Sequence, residues 1–156
     1  MTQRSAPRMV TKSRHATAVA LDGRALLITG PSGSGKSTLA IEMIAYGAML
    51  ISDDQVMLTR EGDVILASAP GGTTAPGRGL IEARGIGLIP VPERTGPTPV
   101  SLIMDLGATE VERLPRSRVA SLLGVPVRSL RKPETLSAAA LVLALRAGGL
   151  VDADNG

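Results

Sequence analysis

Short apolar runs broken by glycine, proline and acidic turns recur along this chain, at spacings that predict alternating strands and helices. His15 to Leu21 fits a strand, Asp22-Gly23 a turn, and Arg24 to Thr29 a second strand built on Ala-Leu-Leu-Ile. Thr38 to Tyr46 carries Leu39, Ile41, Met43 and Ile44 at helical spacing, with Gly47 to end it. Ala48 to Ser52 returns as a strand and closes on Asp53-Asp54. Glu61-Gly62-Asp63 is a hairpin turn between two more strands. Pro70 to Gly79, crowded with glycine and proline, reads as a mobile loop, and Leu80 to Ile89 follows as an apolar block. Pro90 to Pro99 is a proline-rich connector and Val100 to Leu106 a strand. Ser117 to Leu123 reads as a short helix and Val125 to Lys132 as a basic loop. A second helix is expected over Glu134 to Ala147, with Pro133 at its start and Gly148-Gly149 at its end. Residues 1–14 read as a disordered basic arm and 150–156 as a frayed tail, leaving 15–149 as one domain with no internal repeat.

The segment between the second strand and the first helix changes the picture. It reads Gly30-Pro31-Ser32-Gly33-Ser34-Gly35-Lys36-Ser37, a phosphate-binding loop in full and in the order strand, loop, helix. The three glycines let the backbone wrap closely around phosphate oxygens, which β-carbons would obstruct. Loop and helix N–H groups point at the anion, with Thr38 in the first helical turn. Lys36 is placed to reach the β- and γ-phosphates, and the Ser37 hydroxyl to ligate magnesium. The fold class that follows is α/β: a P-loop-containing domain with a mixed β-sheet flanked by helices.

Composition narrows the ligand. The 156 residues are 44% hydrophobic and 20% charged, an ordinary globular mixture. Phe and Trp are absent and Tyr46 is the single tyrosine, so a nucleobase finds little aromatic surface and a nucleotide must be held by its phosphates. Seventeen basic against 14 acidic residues favour anionic partners, but scattered charge and missing aromatics argue against nucleic acid. With no cysteine, disulfides and thiolate zinc sites are excluded and a cytoplasmic setting is expected. No apolar stretch is long enough to span a bilayer.

Phosphoryl transfer also needs carboxylates, to complete a magnesium shell and to accept a proton. Asp53 and Asp54 stand where the strand after the P-loop helix ends, the edge that carries ligands in such sheets. Adjacent strand residues face opposite sides, so one of them faces the phosphates directly and a solvated turn stays open as the other reading. Glu82 and Arg84, two apart, share one side of an extended segment. They suit a metal-side carboxylate with a phosphate-side guanidinium, or an ordinary surface ion pair. His15 is the sole histidine, and taken alone it reads as a surface or core residue.

Together these blocks resemble HPr kinase/phosphorylase, over roughly His15 to Ala147. The resemblance rests on His15 one strand ahead of the P-loop, the loop itself, Asp53-Asp54, and Glu82-Ala83-Arg84-Gly85-Ile86-Gly87. Glu112-Arg113-Leu114 and Pro126-Val127-Arg128 follow in the family's order. It implies ATP- and magnesium-dependent phosphorylation of a serine on the phosphocarrier HPr or a paralogue. It also implies a reverse reaction in which inorganic phosphate removes that group as pyrophosphate. On this resemblance Asp54 is the carboxylate that takes and returns the serine proton, and Asp53 supports it or the metal. Glu82 is a further magnesium ligand, Arg84 a phosphate partner, and His15 and Arg113 are further active-site groups. Arg128 and Arg131 sit in the loop tied to dephosphorylation. There the family's Pro-Gly between the arginines is replaced by Ser129-Leu130, which weakens the expectation of the reverse reaction. The short form resembles the family's C-terminal catalytic domain alone, and a homo-oligomer, a hexamer, is implied in the same way. Two other readings stand beside it: a small-molecule P-loop kinase with Arg113 to Arg118 as a lid, and a non-catalytic nucleotide-sensing module.

Overall fold

A computed structural model describes residues 9–71 and 79–152. The chain runs β1 (Val10–Arg14), β2 (Thr17–Leu21), β3 (Arg24–Thr29), α1 (Lys36–Ala45), β4 (Met49–Ser52), β5 (Val56–Glu61) and β6 (Val64–Ser68). It continues through β7 (Leu80–Ala83), β8 (Gly87–Pro90), β9 (Thr98–Glu110), β10 (Val119–Leu122), β11 (Val125–Pro133) and α2 (Ala138–Arg146). Nine strands form one mixed sheet in the order β1-β5-β6-β9-β3-β2-β4, with β11 joined to β9 and β10 to β11, while β7 and β8 make a separate hairpin.

The P-loop strand β3 sits inside this sheet, antiparallel to β2 on one edge and parallel to β9 on the other, Thr29 opposite Asp105. Both of its faces are covered, which is why Ala25 to Ile28 form an uninterrupted apolar run rather than an alternating one. One face packs Leu26 and Ile28 against α1 and α2, through Leu39, Met43, Leu141 and Leu145. The opposite face packs Ala25 and Leu27 against Val56, Leu58, Ile65, Val125 and Val127 of the curled β5-β6 and β10-β11 ribbons. The helices therefore lie on one face of the sheet, and the sheet's own strands cover the other.

Several elements depart from the sequence pattern. Val10–Arg14, expected within a disordered arm, pairs in register with β5 as strand β1, although every one of its residues is exposed. Ser117 to Leu123, expected as a helix, and Val125 to Lys132, expected as a loop, are the hairpin β10-β11. Leu123 and Gly124 both take positive φ, 49° and 84°, in a two-residue turn of the primed type that matches strand twist. The buried alternation of Leu122, Val125 and Val127 is the strand signal, and pairing with β9 overrides local propensity. The second helix starts at Ala138 rather than Glu134, because β11 continues to Pro133 against Glu110 of β9. Its N-cap is Ser137, whose hydroxyl accepts the Ala140 N–H. The mobile loop expected over Pro70–Gly79 lies, for residues 72–78, outside the described residues.

Candidate active site

The P-loop is shaped by its glycines at one place above all. Gly30 has φ 142°, and a β-carbon there would stand 2.7 Å from Ser34 Oγ and 3.2 Å from the Leu106 side chain. The loop then turns into α1 through Gly35 at φ 101°, and no side chain caps the first turn, so its N–H groups face outward uncapped. Lys36 is buried and its Nζ donates to the Gly30 and Pro31 carbonyls at 2.8 and 3.0 Å. Three donors serve an ammonium, so the charge is fixed inside the loop's curve with capacity left for a phosphate oxygen.

Opposite the loop stands the carboxyl end of β4. The Ser37 hydroxyl donates to Asp53 Oδ1 at 2.9 Å, and the Thr17 hydroxyl donates to the same oxygen at 2.8 Å. Asp54 follows in the left-handed region, at φ 70°. A non-glycine residue held there carries backbone strain of a kind that concentrates at functional sites. That conformation brings Asp54 Oδ1 to 3.4 Å from His15 Nδ1, with both side chains more than half exposed to solvent. The two adjacent acids lie just past the end of β4, so a bend with Asp54 in the left-handed region, rather than strand alternation, divides them. Asp53 turns to the P-loop serine, Asp54 to the histidine, and both line one cleft.

The third wall is the β7-β8 hairpin. Ile81 and Ala83 are buried and Glu82 projects outward. β7 ends at Ala83, so Arg84 lies in the turn rather than in line with Glu82 on one strand, yet both line the same cleft. No ion pair between Glu82 and Arg84 is formed. The cleft encloses about 360 Å³ and is bounded by His15, Thr17, the P-loop with Thr38, Asp53, Asp54, Glu82 and Arg84. Ser37 Oγ and Asp53 are paired hard oxygen donors beside the phosphate cradle, the donor chemistry that suits magnesium shared with a substrate phosphate. Among the described residues, Glu82 does not join the two aspartates in a cluster of three metal-binding groups.

Three expected residues lie elsewhere. Arg113 is exposed in the segment between β9 and β10, outside the cleft lining. Arg128 is ion-paired to Asp152 at 2.8 Å beside a separate groove with Asp63 and Pro126. Arg131 is an exposed residue of β11 in register with Asp105, two strands from the P-loop strand. Strand pairing rather than a loop holds the last two, so they do not reach the cleft of their own chain. Sequence reasoning missed Thr17, which is fully buried. No local signal marks it, because His15 lies in the bend before β2 and the partner of the Thr17 hydroxyl is the distant Asp53.

Comparison with known proteins agrees with this geometry. The family model of the HPr serine kinase C-terminal domain matches residues 8–133. The chain belongs to the HPr serine kinase C-terminal domain family. HPr kinase/phosphorylase of Clostridium botulinum is 35% identical over 130 residues, covering 76% of this chain and 41% of that protein. The Leptothrix cholodnii protein of the same name is 38% identical over 130 residues, with 76% and 39% covered. That of Mycoplasmopsis pulmonis is 43% identical over 77 residues, 49% of this chain and 24% of the other. The chain therefore spans between about a quarter and two fifths of these relatives' lengths. Among solved structures, the HPr(Ser) kinase/phosphatase from Coxiella burnetii superposes with a TM-score of 0.71 at 25% identity, covering 88% of this chain and 95% of that one. The mixed sheet, P-loop and flanking helices are thus those of an HPr serine kinase C-terminal domain. No helix among the described residues is long and apolar enough to cross a membrane.

Proposed function

We propose that this chain is a protein-serine kinase that uses ATP and magnesium to phosphorylate HPr or a paralogue in the cytoplasm. The observation that carries the reading is the convergence in one cleft of the P-loop lysine, the Ser37–Asp53 oxygen pair and the Asp54–His15 pair. A nucleotide cradle alone accounts for the first. The last supplies a carboxylate free of the P-loop and open to an incoming hydroxyl, which a pure nucleotide sensor does not need.

In this reading the loop N–H groups and Lys36 hold the β- and γ-phosphates. Ser37 and Asp53 would hold the metal, and Glu82, on the facing wall of the same cleft, would join them only with the cation bound. Bound there, magnesium neutralises charge developing on the transferred group. Asp54 accepts the proton of the acceptor serine as its oxygen bonds to the γ-phosphorus, and the bond from that phosphorus to the β–γ bridging oxygen breaks to release ADP. His15 orients Asp54, and Arg84 faces the transferred phosphoryl group. In reverse, the same cradle would take inorganic phosphate and Asp54 would return the proton, giving pyrophosphate. The altered Arg128–Arg131 segment makes that direction the weaker of the two.

The test is incubation of the chain with labelled ATP, magnesium and purified HPr, followed by identification of phosphoserine. Label on an HPr serine is the expected result. ATP binding without transfer would sink the kinase reading in favour of a nucleotide-sensing module, and transfer to a metabolite but not to HPr would favour the small-molecule kinase.

A further inference from the structure

We propose that Thr17 is a positioning residue that fixes both active-site aspartates, and through Asp53 sets the affinity of the site for a divalent cation. The inference rests on the phosphoryl-transfer reading. Thr17 is the first residue of β2, and its side chain has no exposed surface. Its hydroxyl does two things at once. It donates to Asp53 Oδ1 at 2.8 Å, and it faces the Asp54 backbone N–H, 3.4 Å away, as acceptor. Because a hydroxyl has one proton and two lone pairs, both contacts can be made together.

The consequence for Asp53 is rotational. The hydroxyls of Thr17 and Ser37 both address Oδ1, from two different elements. Two donors on one oxygen hold the carboxylate plane and leave Oδ2 as the oxygen to offer to a cation. Ser37 cannot do this alone, because the Ser37 oxygen is itself expected to turn to the metal. Thr17 is the remaining anchor. For Asp54 the same hydroxyl steadies the backbone at φ 70°, the turn that aims its carboxylate at His15. Residues that orient a metal ligand without touching the metal typically set affinity by about 10–100-fold.

The decisive comparison is Thr17→Val, which keeps the shape and removes the hydroxyl, against Thr17→Ser, which keeps the hydroxyl. Calorimetry would measure binding of ATP with a chelator present, of ATP with manganese, and of manganese alone, with thermal midpoints as a check on folding. Thr17→Val is expected to weaken manganese-supported binding at least tenfold, to leave chelator-treated ATP binding within about twofold, and to be rescued by Thr17→Ser. Equal loss in the chelator arm, or a serine variant as impaired as the valine one, would show a merely structural role and overturn the proposal. So would a valine variant that binds manganese and ATP like the parent chain. Should the valine variant not fold, Thr17→Ala takes its place with the same outcomes. A parent chain that binds manganese but no ATP defeats the kinase reading alone, and the manganese arm then decides Thr17. A parent chain that binds neither overturns both.

Discussion

In the proposed reaction Asp54 is the base, and its backbone is held in a conformation most side chains avoid. Replacing it by asparagine keeps the size, and asparagine tolerates the left-handed region well. Asp54→Asn is therefore expected to fold normally, to bind nucleotide like the parent, and to lose about 10²–10⁴-fold in transfer rate. Single-turnover kinetics with HPr and calorimetry with ATP check the two halves, and an active variant would show that the base has been misassigned. Lys36→Ala should act differently, because the ammonium sits inside the loop. It is expected to weaken ATP binding itself, read by the same calorimetry. These residues were legible in the sequence because the P-loop and Asp53-Asp54 are local strings whose chemistry follows from residue type and order. Thr17 was not. Its hydroxyl acquires meaning from a carboxylate 36 positions away, and nothing local to β2 announces that partner.

The elements show the same division between local and distant causes. Helix α1 and strands β2 to β6 could be read from short apolar runs punctuated by glycine. The hairpin β10-β11 could not, since its turn is Leu123-Gly124 rather than a common turn pair, and its strand character comes from lying beside β9. The start of α2 departs from the sequence pattern for a related reason: Pro133 ends a strand instead of opening a helix. The Ser137 hydroxyl is its real cap. Ser137→Ala is expected to cost about 1 kcal/mol, measured by denaturant unfolding. A further expectation belongs to the junction of β9 and β10. Glu110 is buried, takes the Arg118 guanidinium, and accepts the Val111 and Glu112 N–H groups at 3.1 and 3.2 Å. Its hydrogen bond from Arg118 and then that from Glu112 hold its carboxyl below the usual value of 4.5. A lowered folded-state value means stability that is complete above the unfolded value and lost as pH falls through the folded one. Glu110→Gln should therefore be less stable than the parent near neutrality, with the gap narrowing as pH falls below 4.5 in acid unfolding.

Across the whole molecule, β3 is the floor on which the site stands, with helices pressing on one face and curled strands on the other. Ile28→Ala and Leu27→Ala, neighbours that point to opposite layers, should each cost about 2–5 kcal/mol in unfolding free energy. They should also diverge in one respect. Ile28→Ala loosens α1 and should lower nucleotide affinity more than Leu27→Ala, which loosens the strand layer. The parallel neighbour of β3 is β9, made of residues 98–110, whereas every cleft residue lies between positions 15 and 84. During synthesis the whole motif is therefore made before the strand that must flank it. Until β9 pairs with it the P-loop strand has an open edge, so a released fragment ending at residue 95 should not retain ATP in a binding assay. Competence to bind comes with the second half of the chain, and the emerging protein carries its signature well before it can use it.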